Sequence, residues 1–197
     1  MPKVVDHDRR RDEIIRATWR IIAEEGIGAA TTRRIAEVTG RANGVLLYYF
    51  PNKAAVLRAA LTYAFDETNR RADAVAPVRH GLSGLRTLCH EIMPLDELRR
   101  MEARIVLTFW ASALTSPETA ELFADLMAIW RAEISQRLDE AKGDGDVDDG
   151  LDVTATADAL LSLLMGLQAL ACLTPDETDA ERQLAELELF LGRLGPA

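Results

Sequence analysis

At 197 residues and 48% hydrophobic side chains the chain can bury a sizeable core, and its Ala and Leu content with only 6% aromatics favours helices over strands. No apolar run approaches the ~20 residues of a membrane span, and residues 1–12 are polar and charged without the apolar centre of a signal peptide, so a cytoplasmic location is expected. The net charge of −9 argues against a nucleic-acid binder until the chain is divided: residues 1–60 carry 11 Lys and Arg against 7 Asp and Glu, the remainder 12 against 25, a basic head on an acidic body.

The spacing of Ile14, Ile15, Ala17, Thr18, Ile21 and Ile22 predicts a first helix capped by Asp8 and ended by Gly26 and Gly28. Arg9, Arg10 and Arg11 at its outset read either as an arm for the nucleic-acid backbone or as a solvated basic tail. Thr31 is placed to cap a second, short helix that turns Ile35, Ala36 and Val38 inward, and Gly40 ends it in a left-handed conformation. Asn43 or Ala42 then opens a third helix with Leu46 and Tyr49 or Phe50 on its buried side. This small-residue, Gly-turn, apolar spacing is that of a helix-turn-helix, whose second member enters the major groove.

Pro51 stops the third helix and Asn52 caps a fourth, from Lys53 to about Ala74, with Val56, Leu57, Ala60, Leu61, Ala64, Phe65 and Thr68 as its inner stripe. Pro77, Gly81 and Gly84 mark a looser connection. A fifth helix is expected over about 83–93 and a sixth over about 96–114. Ser116-Pro117-Glu118 is a start signal for a seventh reaching about Lys142, with Leu122, Phe123, Leu126, Ile129, Trp130, Ile134 and Leu138 inward.

The acidic stretch 143–152 opens like a calcium loop with Asp144, Asp146 and Asp148. Asp149 then stands where that loop needs Gly, and Ala155 where it needs Glu, so a flexible solvated loop without metal is expected. An eighth helix, about 153–173, is apolar on more than one face, and a ninth, about 179–194, offers Leu184, Leu187, Phe190, Leu191 and Leu194. Two such helices either close their own core or pair with the same two of a second copy. The dimer is favoured, because two helix-turn-helix units read a palindrome where one binds weakly. Cys89 and Cys172 are far apart in sequence, with no His at metal spacing, and are expected as reduced thiols.

The stretch 31–53, carried by Thr31-Thr32-Arg33, Ile35-Ala36, Gly40, Gly44, Leu46, Tyr48-Tyr49-Phe50 and Lys53, resembles the DNA-binding domain of the TetR family of transcriptional repressors. It departs from the family pattern at Arg41, Ala42 and Leu47, where an apolar residue, Ser and Tyr are usual. The opening Met-Pro-Lys, the Tyr49-Phe50 to Lys53 run and the segment Phe109-Trp110-Ala111-Ser112 are similar to the subgroup that represses choline-to-betaine pathways. The resemblance implies an all-α chain of about nine helices. A three-helix helix-turn-helix domain would span 1–52, and a helical ligand-binding and dimerisation domain 53–197. The fourth helix would link the two, so that a tilt at its far end moves the head.

Within that frame, Arg33 is the expected base contact, since a guanidinium matches the O6/N7 edge of guanine, and Arg34 meets phosphate or solvent. Thr31 and Thr32 offer a hydroxyl and free N–H groups to phosphate. Arg41, Asn43, Gly44 and Val45 are the exposed candidates of the third helix. Asn43 could read adenine, although capping is the favoured role beside Ala42. Leu47 could meet a thymine methyl. Tyr48 and Tyr49 can place hydroxyls on phosphates, with at least one ring expected in the core, and Lys53 is a further phosphate contact. For the body, Trp110, Met127, Trp130, Met165 and Gln168 are candidates for a ligand pocket, Gln168 being a polar residue among leucines that needs a partner. A quaternary ammonium would want an aromatic cage.

His7, His80 and His90 form no catalytic pattern, and no phosphate loop or dinucleotide fingerprint is present, so neither enzyme nor cofactor is expected. The reading is a dimeric repressor of a double-stranded DNA operator, released by an unidentified small molecule. The alternative is a ligand-responsive activator of the same fold, with a helical ligand-binding protein or enzyme ranked far behind.

Overall fold

The structure, a computed structural model, describes residues 3–75 and 80–195. Pro77 and the opening Met1-Pro2 lie outside them. Nine α-helices and no strand occur among the described residues: α1 Lys3–Glu25, α2 Thr32–Thr39, α3 Asn43–Tyr49, α4 Lys53–Val75, α5 Gly81–Ile92, α6 Glu97–Ala113, α7 Pro117–Asp144, α8 Val153–Leu173 and α9 Ala180–Leu191. The chain divides into two compact units, one of residues 1–66 and 105–122, the other of 67–104 and 123–197.

In the first unit α2 packs against α1 and α3. Ile14, Ile22, Ile35 and Leu46 are fully buried there. Thr18, buried in α1, donates its hydroxyl to the Ile14 carbonyl at 2.8 Å and so carries no unmet polar group into the core. Three expectations fail in α1 and α2. α1 begins at Lys3, so Asp8 lies inside the helix rather than capping it, and Arg9–Arg11 belong to helical turns, not to an arm. Val38 is 40% exposed: two residues past the buried Ala36 is a 200° rotation, which carries the side chain round to the solvent side.

The second unit is built on Leu85, Leu88, Met93, Ile134, Leu138, Leu160 and Leu164, all fully buried. It also buries ions. Arg71 donates to Glu102 at 2.6 and 2.7 Å and to Glu91 at 2.9 Å, and Arg99 donates to Glu91 at 2.5 Å. Burial pushes the Glu102 carboxyl up against the pull of Arg71. Gln168, buried in α8, donates its amide to the Ile92 carbonyl at 3.1 Å, and Gln183, buried in α9, donates to those of Thr178 and Pro94. Both glutamines thus brace the connector between α5 and α6.

Three readings of this unit change. Ile129, expected inward, is 56% exposed, because α7 turns Met127 and Trp130 into the core instead. The acidic stretch is tied down rather than free: Val147 is buried and the Asp148 N–H donates to the Leu194 carbonyl at 2.9 Å. And α8, with 21 residues and a mean hydropathy of 1.6, does have the length and composition of a membrane span, although one face of it is packed into this unit. Among the described residues no cluster of His, Cys, Asp or Glu has the geometry to hold a metal ion. Cys89 and Cys172 are free thiols, the former fully buried and pushed up to about 12 by desolvation.

Candidate nucleic-acid interface

The turn between α2 and α3 is built by local chemistry. Thr31 sits in extended backbone and its hydroxyl accepts the Arg34 N–H at 3.1 Å, capping α2. Gly40, at φ 64°, ends that helix, and the Arg41 N–H returns to the Ala36 carbonyl at 2.9 Å. α3 starts with no such help. Ala42 occupies its N-cap position and has no side-chain acceptor, while Asn43 is already the first helical residue. The capping role favoured for Asn43 is therefore not the one it takes, and its amide is exposed.

α3 buries only Leu46, followed by Phe50 just beyond its end. Asn43, Gly44, Val45, Leu47 and Tyr48 are exposed, Tyr48 at 74%. Tyr49 is half-buried, so neither tyrosine ring lies in the core, and Phe50 takes that place. Asn52 caps α4 by accepting the Ala55 N–H at 2.8 Å, which leaves Lys53 exposed in the first turn, its ammonium 3.4 Å from the Ile27 carbonyl.

The arginines differ in how far they are committed. Arg33 is 87% exposed and touches Glu37 at 3.1 Å on its own helix. Arg34 makes a two-pronged contact with Glu25 of α1, at 2.8 and 3.2 Å, which holds the Glu25 carboxyl below its ordinary range. Arg41 reaches Glu13 of α1 at 2.5 Å and is only 22% exposed. Sequence reasoning placed all three on the surface but could not see the α1 acids that hold two of them, because those pairings span 9 and 28 residues.

It also missed the contacts that two residues of α1 make with the end of α3. The His7 ring lies 4.6 Å from Tyr49 and 5.7 Å from Tyr48, and the Arg11 guanidinium sits over Phe50 at 5.2 Å.

The five residues expected around a ligand are not gathered by one element. Met127 and Trp130 are buried in α7, and Met165 and Gln168 in α8, all in the second unit; Trp110, half-buried in α6, belongs to the first. The Gln168 amide oxygen is buried with no hydrogen-bond donor. A separate cavity of about 320 Å³ lies within the first unit, lined by Lys53, Leu57, Arg58, Phe109, Ser112 and Glu118 among others. None of the five expected ligand residues lines it.

Residues 14–60 match the family model of bacterial regulatory proteins of the tetR family, and residues 82–196 that of the BetI-type transcriptional repressor C-terminal domain. The HTH-type transcriptional regulator PksA of Bacillus subtilis is 29% identical over 187 residues, 92% of this chain and 88% of that protein. The HTH-type transcriptional regulator BetI of Stenotrophomonas maltophilia is 33% identical over 127 residues, 62% of this chain; the match spans 63% of that protein's length. Among solved structures, a transcriptional regulator from Saccharomonospora viridis in complex with choline superposes with a TM-score of 0.84 over 94% of this chain and 96% of its own, at 23% identity. One from Rhodococcus sp. Rha1 gives 0.80 over 93% and 95%, again at 23%.

Proposed function

The chain belongs to the tetR family of bacterial regulatory proteins, with a C-terminal domain of the BetI repressor type, and on that premise we propose that it represses transcription by binding a palindromic operator as a homodimer, acting in the cytoplasm. Residues 1–52 form the DNA-binding domain and 53–197 the ligand-binding and dimerisation domain. The observation that carries the reading is the capped α2, the left-handed Gly40 and a short α3 whose outer side chains are exposed.

Each half-site is read in one major groove. Arg33, paired among the described residues with Glu37 of its own helix, takes the base contact. Asn43, Gly44, Val45 and Leu47 face the groove floor. Thr31, Thr32, Tyr48, Tyr49 and Lys53 meet the backbone, where hydroxyls, ammonium and helix-start N–H groups suit phosphate. Arg34 and Arg41 act differently: Glu25 and Glu13 hold them in the free protein, and a phosphate would have to displace or share those carboxylates.

Dimerisation runs through α8 and α9, which leave Leu170, Leu173 and Leu189 exposed and would bury them against the same residues of a second copy. The effector binds in the C-terminal domain near Met127, Trp130, Met165 and Gln168. A small quaternary ammonium such as choline, the ligand in the Saccharomonospora viridis relative, is the class to test first. Release requires that the ligand favour the DNA-free state, since equal affinity for both shifts nothing.

The test is selection of a bound sequence from random duplexes, followed by footprinting across a salt series with and without choline. Protection of an inverted repeat with a steep salt slope supports the operator reading, and loss of protection on adding choline supports the effector. A protein that selects no sequence overturns the reading.

A further inference from the structure

We propose that His7 is a positioning residue for operator recognition, fixing the tyrosine pair at the end of α3 through ring contact. The inference rests on the operator reading above.

α3 is seven residues long, has no side-chain cap at its start and buries a single residue of its own, Leu46. Its last turn therefore needs to be held from outside. α1 supplies that hold at two points. The imidazole of His7 packs on Tyr49 at 4.6 Å and meets Tyr48 edge-on at 5.7 Å, while the two tyrosine rings stand perpendicular to each other at 5.2 Å. Four residues on, Arg11 lies over the Phe50 ring at 5.2 Å. Residues four apart share a helix face, so one face of α1 grips three consecutive aromatics, Tyr48, Tyr49 and Phe50.

Only Phe50 of the three is buried. Tyr48, at 74% exposure, would otherwise choose freely among its staggered rotamers, and ordering it would be charged against binding. Three mutually perpendicular or tilted rings are a favourable aromatic arrangement. They restrict the orientation of the Tyr48 ring before DNA arrives. Among the described residues the imidazole meets Asp8 at 3.9 Å from Nδ1 and the two tyrosine rings, and the ring contacts are what suit it to a packing role.

The test compares His7→Ala with His7→Phe in the full-length protein on the selected operator. Losing the ring should weaken binding by roughly threefold to tenfold per half-site, with the salt slope unchanged, and Phe should restore most of it. The Tyr48 ring-proton shifts, read by NMR in the DNA-free protein, should move in the Ala variant and return toward wild type in the Phe variant. The proposal is overturned if His7→Ala binds like wild type. It is also overturned if His7→Phe binds as weakly as His7→Ala with a salt slope reduced by about one, since the imidazole would then be a charged backbone contact. If the wild-type protein selects no DNA sequence, the operator reading fails and this proposal falls with it; a wild-type operator complex with no His7 effect fails the proposal alone.

Discussion

In the first unit Arg33 and Arg34 meet Glu37 and Glu25 at an exposed surface, and Arg41 meets Glu13 at its edge; in the second, Arg71 and Arg99 meet Glu91 and Glu102 under cover, with side-chain exposures of 17%, 19%, 6% and 10%. The residue types are the same and the consequences differ. Charges already in water lose little when a partner is exchanged, so the exposed Arg33 and Arg34 can change partners at little cost. Charges already desolvated cannot be unpaired without a large penalty, so the body's network fixes a conformation. α4 carries Lys53 at one end and Arg71 near the other, and so one helix takes part in both regimes.

The sharpest way to break the comparison is Arg71→Met. It leaves Glu102 without its two-pronged partner and should destabilise the protein by about 3–5 kcal/mol in urea unfolding, with part of the loss recovered when Glu102→Gln is added. A value within about 0.5 kcal/mol of wild type, the range of surface substitutions, would place this network with the exposed pairs.

Arg33→Ala tests the opposite regime. Operator affinity should fall by about 1–3 kcal/mol with relaxed preference at one position, while the unfolding midpoint stays put. Lys53→Gln should instead weaken every sequence alike and lower the salt slope by about one. A midpoint that drops with Arg33→Ala would show the exposed arginine to be structural after all.

Smaller again is the difference between the two helix starts of the head. Thr31→Ala removes the hydroxyl that accepts the Arg34 N–H and should cost about 1 kcal/mol of stability. Ala42→Ser supplies α3 with the acceptor it lacks and should raise stability by a few tenths to about 1 kcal/mol. Thermal unfolding of both variants checks the pair, and an Ala42→Ser protein no more stable than wild type would mean that the rest of the head already fixes α3.

What could be read in the sequence follows from how far each interaction reaches. Thr31, Gly40, Asn52 and Ser116 act on neighbours three or four residues away, so their roles as helix starts and stops were legible from spacing. Val38 and Ile129 were misplaced because apolar character was taken as burial, when their rotation from Ala36 and Met127 turns them outward. Asn43 was given the cap role because its side chain can perform it; the backbone opened the helix one residue earlier, at Ala42. The contacts of Glu13, Glu25, His7 and Arg11 lay beyond sequence reasoning altogether, since nothing in a local pattern announces which side chains of α1 will face α2 and α3.

The finest test of the comparison sets an exposed carboxylate of the first unit, Glu25, against a half-buried one of the second, Glu140. Glu25 is held below its ordinary range by the Arg34 hydrogen bond. Glu140 is held down to about 2, first by Arg137 and then by the Gly81 N–H, which it accepts at 2.9 Å where α5 begins. A folded pKa of about 2 against the ordinary 4.5 means that the unfolded chain binds more protons between those values. The stability owed to Glu140 is therefore fully present above about pH 4.5 and lost as pH falls through about 2. Glu140→Gln should melt earlier than wild type at neutral pH, and the gap should close on acidification across that window. Glu25→Gln should leave the neutral melt nearly unchanged, and it should tighten binding to random DNA by freeing Arg34 from its carboxylate. A Glu25→Gln protein that loses stability like Glu140→Gln without gaining DNA affinity would place the Arg34 pair in the structural regime of the body, and Arg34 would have to be withdrawn from the operator contacts.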